Sequence, residues 1–138
     1  MRLTVIGIGL IGGSLALTLK QKGFVDHVIG VDNNLLHQTQ ALELGIVDEI
    51  MTLEEAIASS DLIAITTPVN IAEILLPTIL EKIDKQVVFD VGSTKESIVK
   101  IANAHSKKGR FVPTHPMWGT EKNGPEAVIK DAFEGRVA

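Results

Sequence analysis

The sequence predicts an α/β protein built on a doubly wound parallel sheet with helices on both faces. Two observations indicate this fold class: short apolar runs alternate with segments of helical apolar spacing, and the chain opens with a strand, a glycine-rich turn, a helix and a second strand. Strands of a parallel sheet are buried on both faces and therefore form unbroken apolar runs, and the helices that join them cover those faces. With 138 residues, 45% of them hydrophobic, we expect one domain spanning 1–138.

The most specific local pattern lies in the first 32 residues. A strand over 2–6 is followed directly by the turn 7–12, a helix over 14–22 and a strand over 28–31 that ends at Asp32. This order of strand, G-x-G-x-x-G, helix, strand and acid is the dinucleotide-binding fingerprint of Rossmann-type sheets. The alternative is a tight βα turn that binds no ligand, but the complete context favours cofactor binding.

Each residue of this fingerprint has a physical role. Gly7 permits the tight turn, Gly9 lets the backbone approach a pyrophosphate, and Gly12 allows the helix to pack closely on the strand. The helix N-terminus offers free N–H groups to phosphates, and Asp32 can accept hydrogen bonds from the adenosine ribose. Asp32 would repel a 2′-phosphate, and two asparagines follow it where an NADP enzyme would place an arginine, so the expected cofactor is NAD.

The rest of the chain continues the alternation. Gly45 is typical of the end of a helix, the pair Thr52 and Glu55 forms a capping box at the start of one, and the apolar run 62–65 is typical of a parallel strand. The predicted elements are a helix over 35–44, a strand or loop over 46–50, a helix over 53–59, a strand over 62–65, a helix from 68 to about 83, a strand over 86–90, a helix over 95–104, a strand over 110–113 and a final helix over 125–133.

Composition and charge argue against several classes of protein. The net charge is −4 with no basic tract, so we expect neither a nucleic-acid nor an anionic membrane partner. The sequence has no run of about 20 apolar residues, so no membrane span is predicted. The N-terminal apolar run is broken by glycines, which is unlike a signal peptide. The sequence contains no cysteine, which excludes disulfides and thiol nucleophiles and fits a reducing, cytoplasmic location. No metal site is predicted.

In a doubly wound sheet the ligand crevice lies beyond the carboxyl ends of the strands. The glycine-rich turn, Asp32 and the loops that begin at Thr66, Asp90 and Thr114 all fall at that edge of the predicted sheet. The residues expected to contact the cofactor are Gly7, Gly9, Leu10, Ile11, Gly12, Asp32, Thr66, Thr67, Pro68, Asp90, Gly92 and Ser93.

Two of these loops carry candidate chemistry. The first, 90–95, has the sequence D-V-G-S-T-K, and these residues alone favour the simple interpretation that Ser93 or Thr94 caps the next helix. The second, 115–122, has the sequence H-P-M-W-G-T-E-K, and His115 lies between two prolines on stiff backbone that suits a positioned base. Its alternative is a surface histidine in a turn, the interpretation given to the histidines at 27, 37 and 105. Trp118 is either a core residue or a wall on which a ring stacks.

Three motifs of this sequence resemble those of the prephenate/arogenate dehydrogenase family: the turn 7–12 with the Gly-Ser that follows it, the D-V-G-S-T-K loop and the H-P-M-W-G-T-E-K loop. The resemblance covers essentially the whole chain. Many dehydrogenases share the first motif, whereas the two loops together are far more specific. The resemblance implies NAD-dependent oxidative decarboxylation of prephenate to 4-hydroxyphenylpyruvate, or of arogenate to tyrosine, in tyrosine biosynthesis.

The resemblance also implies roles for individual residues. In that family the histidine of the second loop accepts the proton of the substrate's ring 4-hydroxyl, and the serine of the first loop hydrogen-bonds near it; carried over, these are His115 and Ser93. Glu121 matches a family acid near the mouth of the site, whereas Trp118 stands where the family often has a small residue. The further substrate-site candidates are Thr120, Glu121, Lys122, Lys95 and Trp118.

The family carries a second, helical domain after the nucleotide-binding one, which forms a homodimer and helps to close the active site. We therefore expect this chain to be the cofactor domain alone and to turn over poorly. The substrate is a dianion, Arg2 and Arg110 would lie at the opposite edge of the sheet, and Lys95 can neutralise one charge at most. Two other functions remain open: an NAD-dependent oxidoreductase of another small acid, and a non-catalytic NAD-sensing module.

Overall fold

The structure is a computed structural model that describes residues 1–115. Six strands and five α-helices alternate along this part of the chain. In chain order they are β1 (Arg2–Ile6), α1 (Leu10–Gln21), β2 (His27–Val31), α2 (Leu35–Glu43), β3 (Glu49–Ile50), α3 (Leu53–Ser59), β4 (Leu62–Ile65), α4 (Val69–Lys82), β5 (Val87–Asp90), α5 (Glu96–Asn103) and β6 (Phe111–Pro113), with a 3₁₀ turn at Lys108–Arg110.

All six strands are parallel and lie in the order β3-β2-β1-β4-β5-β6. Leu3 of β1 pairs with Val28 of β2 on one side and with Leu62 of β4 on the other. The strand order therefore reverses between β1 and β4, which is the topological switch point of a Rossmann sheet. The predicted fold class is confirmed.

Separate apolar clusters cover the two faces of the sheet. On one face, Ile63 and Ile65 of β4 pack against Leu76, Ile79 and Leu80 of α4, and α3 and α5 contribute to the same cluster. On the other face, β1 and β2 pack against α1 and α2. Because both faces are buried, the strands need continuous apolar sequences, as the pattern had predicted.

Most predicted elements lie within two residues of the observed ones, and α1 is the main exception. It begins at Leu10 rather than at 14, so two glycines occupy its first turns. Glycine has a poor helix propensity, which argued for a later start, but tertiary packing of the helix on β1 outweighs that preference. The predicted caps are confirmed: Thr52 and Glu55 form the capping box, and Gly45 follows α2 with φ +71°.

Helix α2 forms where the apolar spacing predicted it, but its leucines face outward. Leu35, Leu36 and Leu42 are exposed, and Ala41 is the buried residue of the helix. The helix is instead anchored by its start, where the Asn34 side chain accepts hydrogen bonds from two backbone N–H groups. Among residues 1–115, no helix is long and apolar enough to cross a membrane.

A cluster of charged side chains lies at the amino edge of the sheet, opposite the carboxyl ends of the strands. Asp48 accepts hydrogen bonds from Lys20 Nζ (2.7 Å) and from the Val28 N–H (2.8 Å). Burial raises the pKa of the Asp48 carboxyl, but the hydrogen bonds from Lys20 and Val28 and the charges of Lys20 and His27 outweigh it and hold that pKa below its ordinary value of 3.8. Ionised Asp48 therefore stabilises the fold.

We predict that Asp48→Asn lowers the free energy of unfolding near neutral pH. A depressed folded-state pKa gives stability that is fully present above the unfolded value of 3.8 and is lost as pH falls through the lower folded value. Urea titrations should therefore give a lower free energy of unfolding for the variant than for wild type at about pH 7, and nearly equal values at about pH 2. Asp26→Asn, at an exposed carboxylate, is the control. An equal difference in the free energy of unfolding at both pH values would contradict the claim that ionised Asp48 stabilises the fold.

Candidate functional site

A cavity of about 1060 Å³ opens at the carboxyl edge of the sheet, across the switch point between β1 and β4. Its walls come from the loops that follow β1, β2, β4 and β5 and from the segment after β6. Of the predicted site residues, those that line it are Gly7, Gly9, Leu10, Ile11, Asp32, Thr66, Thr67, Pro68, Gly92, Ser93 and His115. The cavity therefore lies where the sequence predicted it, at the carboxyl edge of the sheet.

The glycine-rich turn forms one wall of this cavity. Gly7 has φ +94°, a conformation that residues with a Cβ rarely adopt. A Cβ on Gly12 would lie 2.6 Å from the Gly7 oxygen and 2.9 Å from Val5, so only glycine allows α1 to pack this close to β1. Gly9 precedes α1 and no side chain caps the helix, so its first N–H groups face the ligand side without an intrahelical partner.

Asp32 is fixed in the cavity wall by the backbone. Its Oδ2 accepts a hydrogen bond from the Ile8 N–H and its Oδ1 accepts one from the Asn34 N–H, both at 2.9 Å. Gln38 Nε2 donates to the Asp32 backbone oxygen at 2.5 Å. A carboxylate has about four acceptor positions, so both oxygens retain capacity for the hydroxyls of a ribose.

The end of β4 forms the facing wall. The Thr66 hydroxyl is shared between the backbone oxygens of Ile6 and Gly7, at 2.9 and 2.5 Å, which joins the β4 loop to the glycine-rich turn. The Oγ1 of Thr67 is buried and has no hydrogen-bond partner among the described residues. Because an unsatisfied buried hydroxyl costs free energy, Thr67 is suited to a polar ligand group, and this observation fits the predicted dinucleotide.

Part of the cavity lining is apolar and was not predicted. It includes Val31, Leu53, Ile71 and Leu75. Ile71 and Leu75 are four residues apart on α4 and share one face of the helix, and Val31 directly precedes Asp32. The i, i+4 spacing was visible in the sequence but did not distinguish a ligand wall from core. This surface suits a flat aromatic base beside the carboxylate.

Asp90 and Lys95, which were predicted to contact the cofactor and the substrate, do not line the cavity, and these contacts stay predictions. Asp90 is 1% exposed and its carboxylate accepts hydrogen bonds from the N–H groups of Gly92 (3.1 Å) and Thr114 (3.3 Å). Lys95 Nζ forms an ion pair with the same carboxylate, and the Thr114 hydroxyl donates to the Asp90 backbone oxygen. The edge of the sheet was predicted correctly, but Asp90 points into the protein. Asp90 therefore positions two loops, and the charge of Lys95 is already neutralised.

Gly12 is also absent from the cavity lining, because its α-carbon faces β1 and the Thr66 hydroxyl. Its predicted packing role is confirmed, whereas its contact with the cofactor stays a prediction.

Ser93 and His115 line the same cavity, although they are far apart in the chain. Neither Ser93 nor Thr94 caps α5: the residue at the cap position is Lys95, and the helix has no side-chain cap. The capping interpretation is therefore wrong, and Ser93 is an exposed hydroxyl at the cavity. His115 follows Thr114, which is held by Asp90, so the two predicted catalytic residues belong to one connected set of loops.

Several predicted residues lie outside the described part of the chain: Trp118, Thr120, Glu121, Lys122 and the helix expected over 125–133. Within residues 1–115, His37 lines the cavity although its sequence context suggested an ordinary surface histidine. It belongs to the first turn of α2, and no motif in the sequence marks it.

We predict that Lys95→Met destabilises the 138-residue chain by about 3 kcal/mol, because it leaves the buried Asp90 charge without its ion-pair partner. The matched control is Lys100→Met, whose exposed pair with Glu96 should contribute within about 0.5 kcal/mol. The measurement is the free energy of unfolding from urea titration. Equal losses in the two variants would show that the Asp90–Lys95 pair does not stabilise the loops.

Comparisons with a family model, with curated proteins and with solved structures agree on one family. The family model for the nucleotide-binding domain of prephenate dehydrogenase matches residues 15–138. The match begins after the turn 7–12, so the glycine fingerprint is an observation independent of it.

The chain is 32% identical over 137 residues to the prephenate dehydrogenase of Lactococcus lactis subsp. cremoris, and 30% identical over 134 residues to the cyclohexadienyl dehydrogenase of Zymomonas mobilis. Each comparison covers 96% of this chain, but 38% and 46% of the two relatives.

The structure is similar, with a TM-score of 0.87 and 31% identity, to the crystal structure of prephenate dehydrogenase from A. aeolicus in complex with hydroxyphenyl propionate and NAD+. The similarity covers 99% of this chain and 48% of that one. The chain thus spans less than half the length of these relatives. Its sheet order, its glycine-rich cavity and the family match agree, and the chain belongs to the prephenate dehydrogenase family as a nucleotide-binding domain.

Proposed function

We propose that this chain binds NAD and forms the cofactor domain of an enzyme that oxidatively decarboxylates prephenate to 4-hydroxyphenylpyruvate, or arogenate to tyrosine, in tyrosine biosynthesis. The observation that carries the proposal is the convergence of Ser93 and His115 on the cavity that the glycine-rich turn and Asp32 also line. Relatives named prephenate and cyclohexadienyl dehydrogenases support the activity. The expected homodimer and cytoplasmic location remain predictions.

The walls of the cavity support NAD as the cofactor. The uncapped start of α1 favours a pyrophosphate, the Asp32 carboxylate suits ribose hydroxyls, and the orphan Thr67 hydroxyl suits a further polar group. The start of α2 offers little to a 2′-phosphate, since the Asn34 side chain already accepts from the N–H groups of Leu36 and His37. The related A. aeolicus structure contains NAD+.

In the proposed reaction NAD, held by the start of α1 and the Asp32 carboxylate, would supply the acceptor for a hydride from carbon 4 of the substrate ring. His115 accepts the proton of the 4-hydroxyl as the hydride leaves, and Ser93 donates or accepts a hydrogen bond near the same oxygen. Loss of CO₂ leaves its bonding electrons in the ring, which becomes aromatic, and the ring oxygen takes the proton back from His115 to give the hydroxyl of the product. Aromatisation supplies the driving force. The protein contributes alignment of the base and the substrate, which the Asp90 connection between the two loops supports.

Among residues 1–115, the arginines and Lys95 are not available to bind the substrate's two carboxylates. Arg2 contacts Glu49 and Arg110 donates to the Lys85 oxygen, both at the amino edge of the sheet. Lys95 is paired with Asp90. Residues 1–115 therefore leave the cavity without a free arginine or lysine in its lining. We propose that residues beyond 115, together with the helical domain expected from the resemblance, bind the carboxylates, and that this chain turns over poorly by itself.

We predict that the 138-residue chain binds NAD+ more tightly than NADP+ by about tenfold or more, because Asp32 opposes a 2′-phosphate. Isothermal titration of both nucleotides gives the two dissociation constants. Asp32→Asn should improve NADP+ binding and so lower the ratio of the NADP+ to the NAD+ dissociation constant. Asp26→Asn, at an exposed carboxylate, should leave this ratio unchanged. Tighter binding of NADP+ by wild type would contradict the assignment.

We predict that His115→Asn lowers kcat by about 10²–10⁴-fold in a form of the protein that turns over, the range expected for loss of a general base. The dissociation constant for NAD+ should barely change, and Ser93→Ala should cost less. His105→Asn is the control, since His105 accepts a hydrogen bond from the Lys107 N–H and does not line the cavity. A loss below about tenfold would mean that another group accepts the proton.

A further inference from the structure

The side chains of His37 and Asp32 lie close together in the cavity lining, and they form an ion pair when the imidazole is protonated. The His37 Nδ1 lies 3.5 Å from the Asp32 Oδ2. The Asp32 side chain is 11% exposed and that of His37 is 31% exposed, so the carboxylate lies deeper and the imidazole nearer the solvent. Both residues line the cavity, and Asp32 is the residue proposed to hold the adenosine ribose.

The separation of this pair is set by the backbone. Asn34 accepts a hydrogen bond from the His37 N–H (3.2 Å) and so fixes the first turn of α2. The N–H groups of Ile8 and Asn34 hold the two oxygens of Asp32. The backbone therefore places the two residues beside each other, and the imidazole reaches the carboxylate from the first turn of α2.

We propose that His37 determines how strongly the site discriminates between an adenosine ribose with a free 2′-hydroxyl and one with a 2′-phosphate. This inference rests on the proposed NAD site. A carboxylate beside the ribose repels a phosphate, but an imidazolium 3.5 Å from that carboxylate offsets its charge. A neutral imidazole does not. Because histidine changes charge between about pH 5 and pH 8, discrimination against NADP weakens as the solution becomes more acidic.

The other charged groups near the pair do not replace this effect. The described cavity lining contains three titratable side chains, Asp32, His37 and His115. The glycine-rich turn and the starts of α3 and α4 contribute no charged side chain to the lining, and the Asp90–Lys95 pair lies behind it. His115 is present in every protein compared below, so it does not contribute to the differences between them.

The test measures dissociation constants for NAD+ and NADP+ at about pH 8.5 and about pH 5.5 for wild type, His37→Gln and His37→Arg. Gln removes the charge, and Arg makes it permanent. His27→Gln is the matched control, because His27 lies at the amino edge, away from the cavity. The 2′-phosphate itself takes up a proton near pH 6, at about the same pH for each protein, so the informative quantity is the difference between wild type and His37→Gln.

The quantity compared is the ratio of the NADP+ dissociation constant to the NAD+ dissociation constant. On acidification we expect this ratio to fall in wild type and in His27→Gln by about fivefold more than in His37→Gln, which is the effect expected of one partly exposed ion pair. His37→Arg should give a low ratio at the higher pH already. Equal pH responses of wild type and His37→Gln, with both nucleotides bound, would overturn the inference alone. Failure of wild type to bind either nucleotide would instead overturn the proposed function.

Discussion

The buried carboxylate of Asp90 is the constraint on which the side of the cavity that contains Ser93 and His115 depends. An ionised carboxylate in the interior is costly unless it is paired and hydrogen-bonded, and here the partners are the Lys95 ammonium and the N–H groups of Gly92 and Thr114. These partners come from the loop after β5 and from the segment after β6. The two loops cannot separate without exposing or unpairing that charge, so Ser93 and His115 stay at one cavity.

The cofactor side depends on a different contact, between the ends of β1 and β4. The Thr66 hydroxyl reaches the backbone oxygens of Ile6 and Gly7, and the same hydroxyl leaves no room for a side chain at Gly12. The turn, the helix start and the β4 loop are thus fixed against each other at the switch point of the sheet. Since β4 also pairs with β5, the cofactor walls and the Asp90 loops lie side by side at one edge of the sheet.

The sequence was sufficient for the fold and for the position of the cavity because both follow from patterns along the chain. Continuous apolar runs mark buried parallel strands, and the crevice rule places ligands at their carboxyl ends. It was insufficient where the direction of one side chain decides the outcome. Asp90 and Lys95 were at the correct edge but point toward each other, and His37 gained its place from the turn of α2 beside Asp32. The start of α1 was missed because packing at Gly12 outweighs glycine's helix propensity.

The distribution of charge separates recognition of the cofactor from recognition of the substrate. A dinucleotide can be held here by backbone N–H groups, a helix dipole, a hydroxyl and one carboxylate, none of which requires a free cation. A dicarboxylate substrate requires cations, and those of residues 1–115 nearest the site are committed or lie at the amino edge. Binding of the substrate then calls for positive groups from other segments, brought to a cavity whose base and cofactor walls are already in place. If the proposed function holds, the cofactor site is formed by this chain, and the positive groups that bind the substrate complete the catalytic geometry.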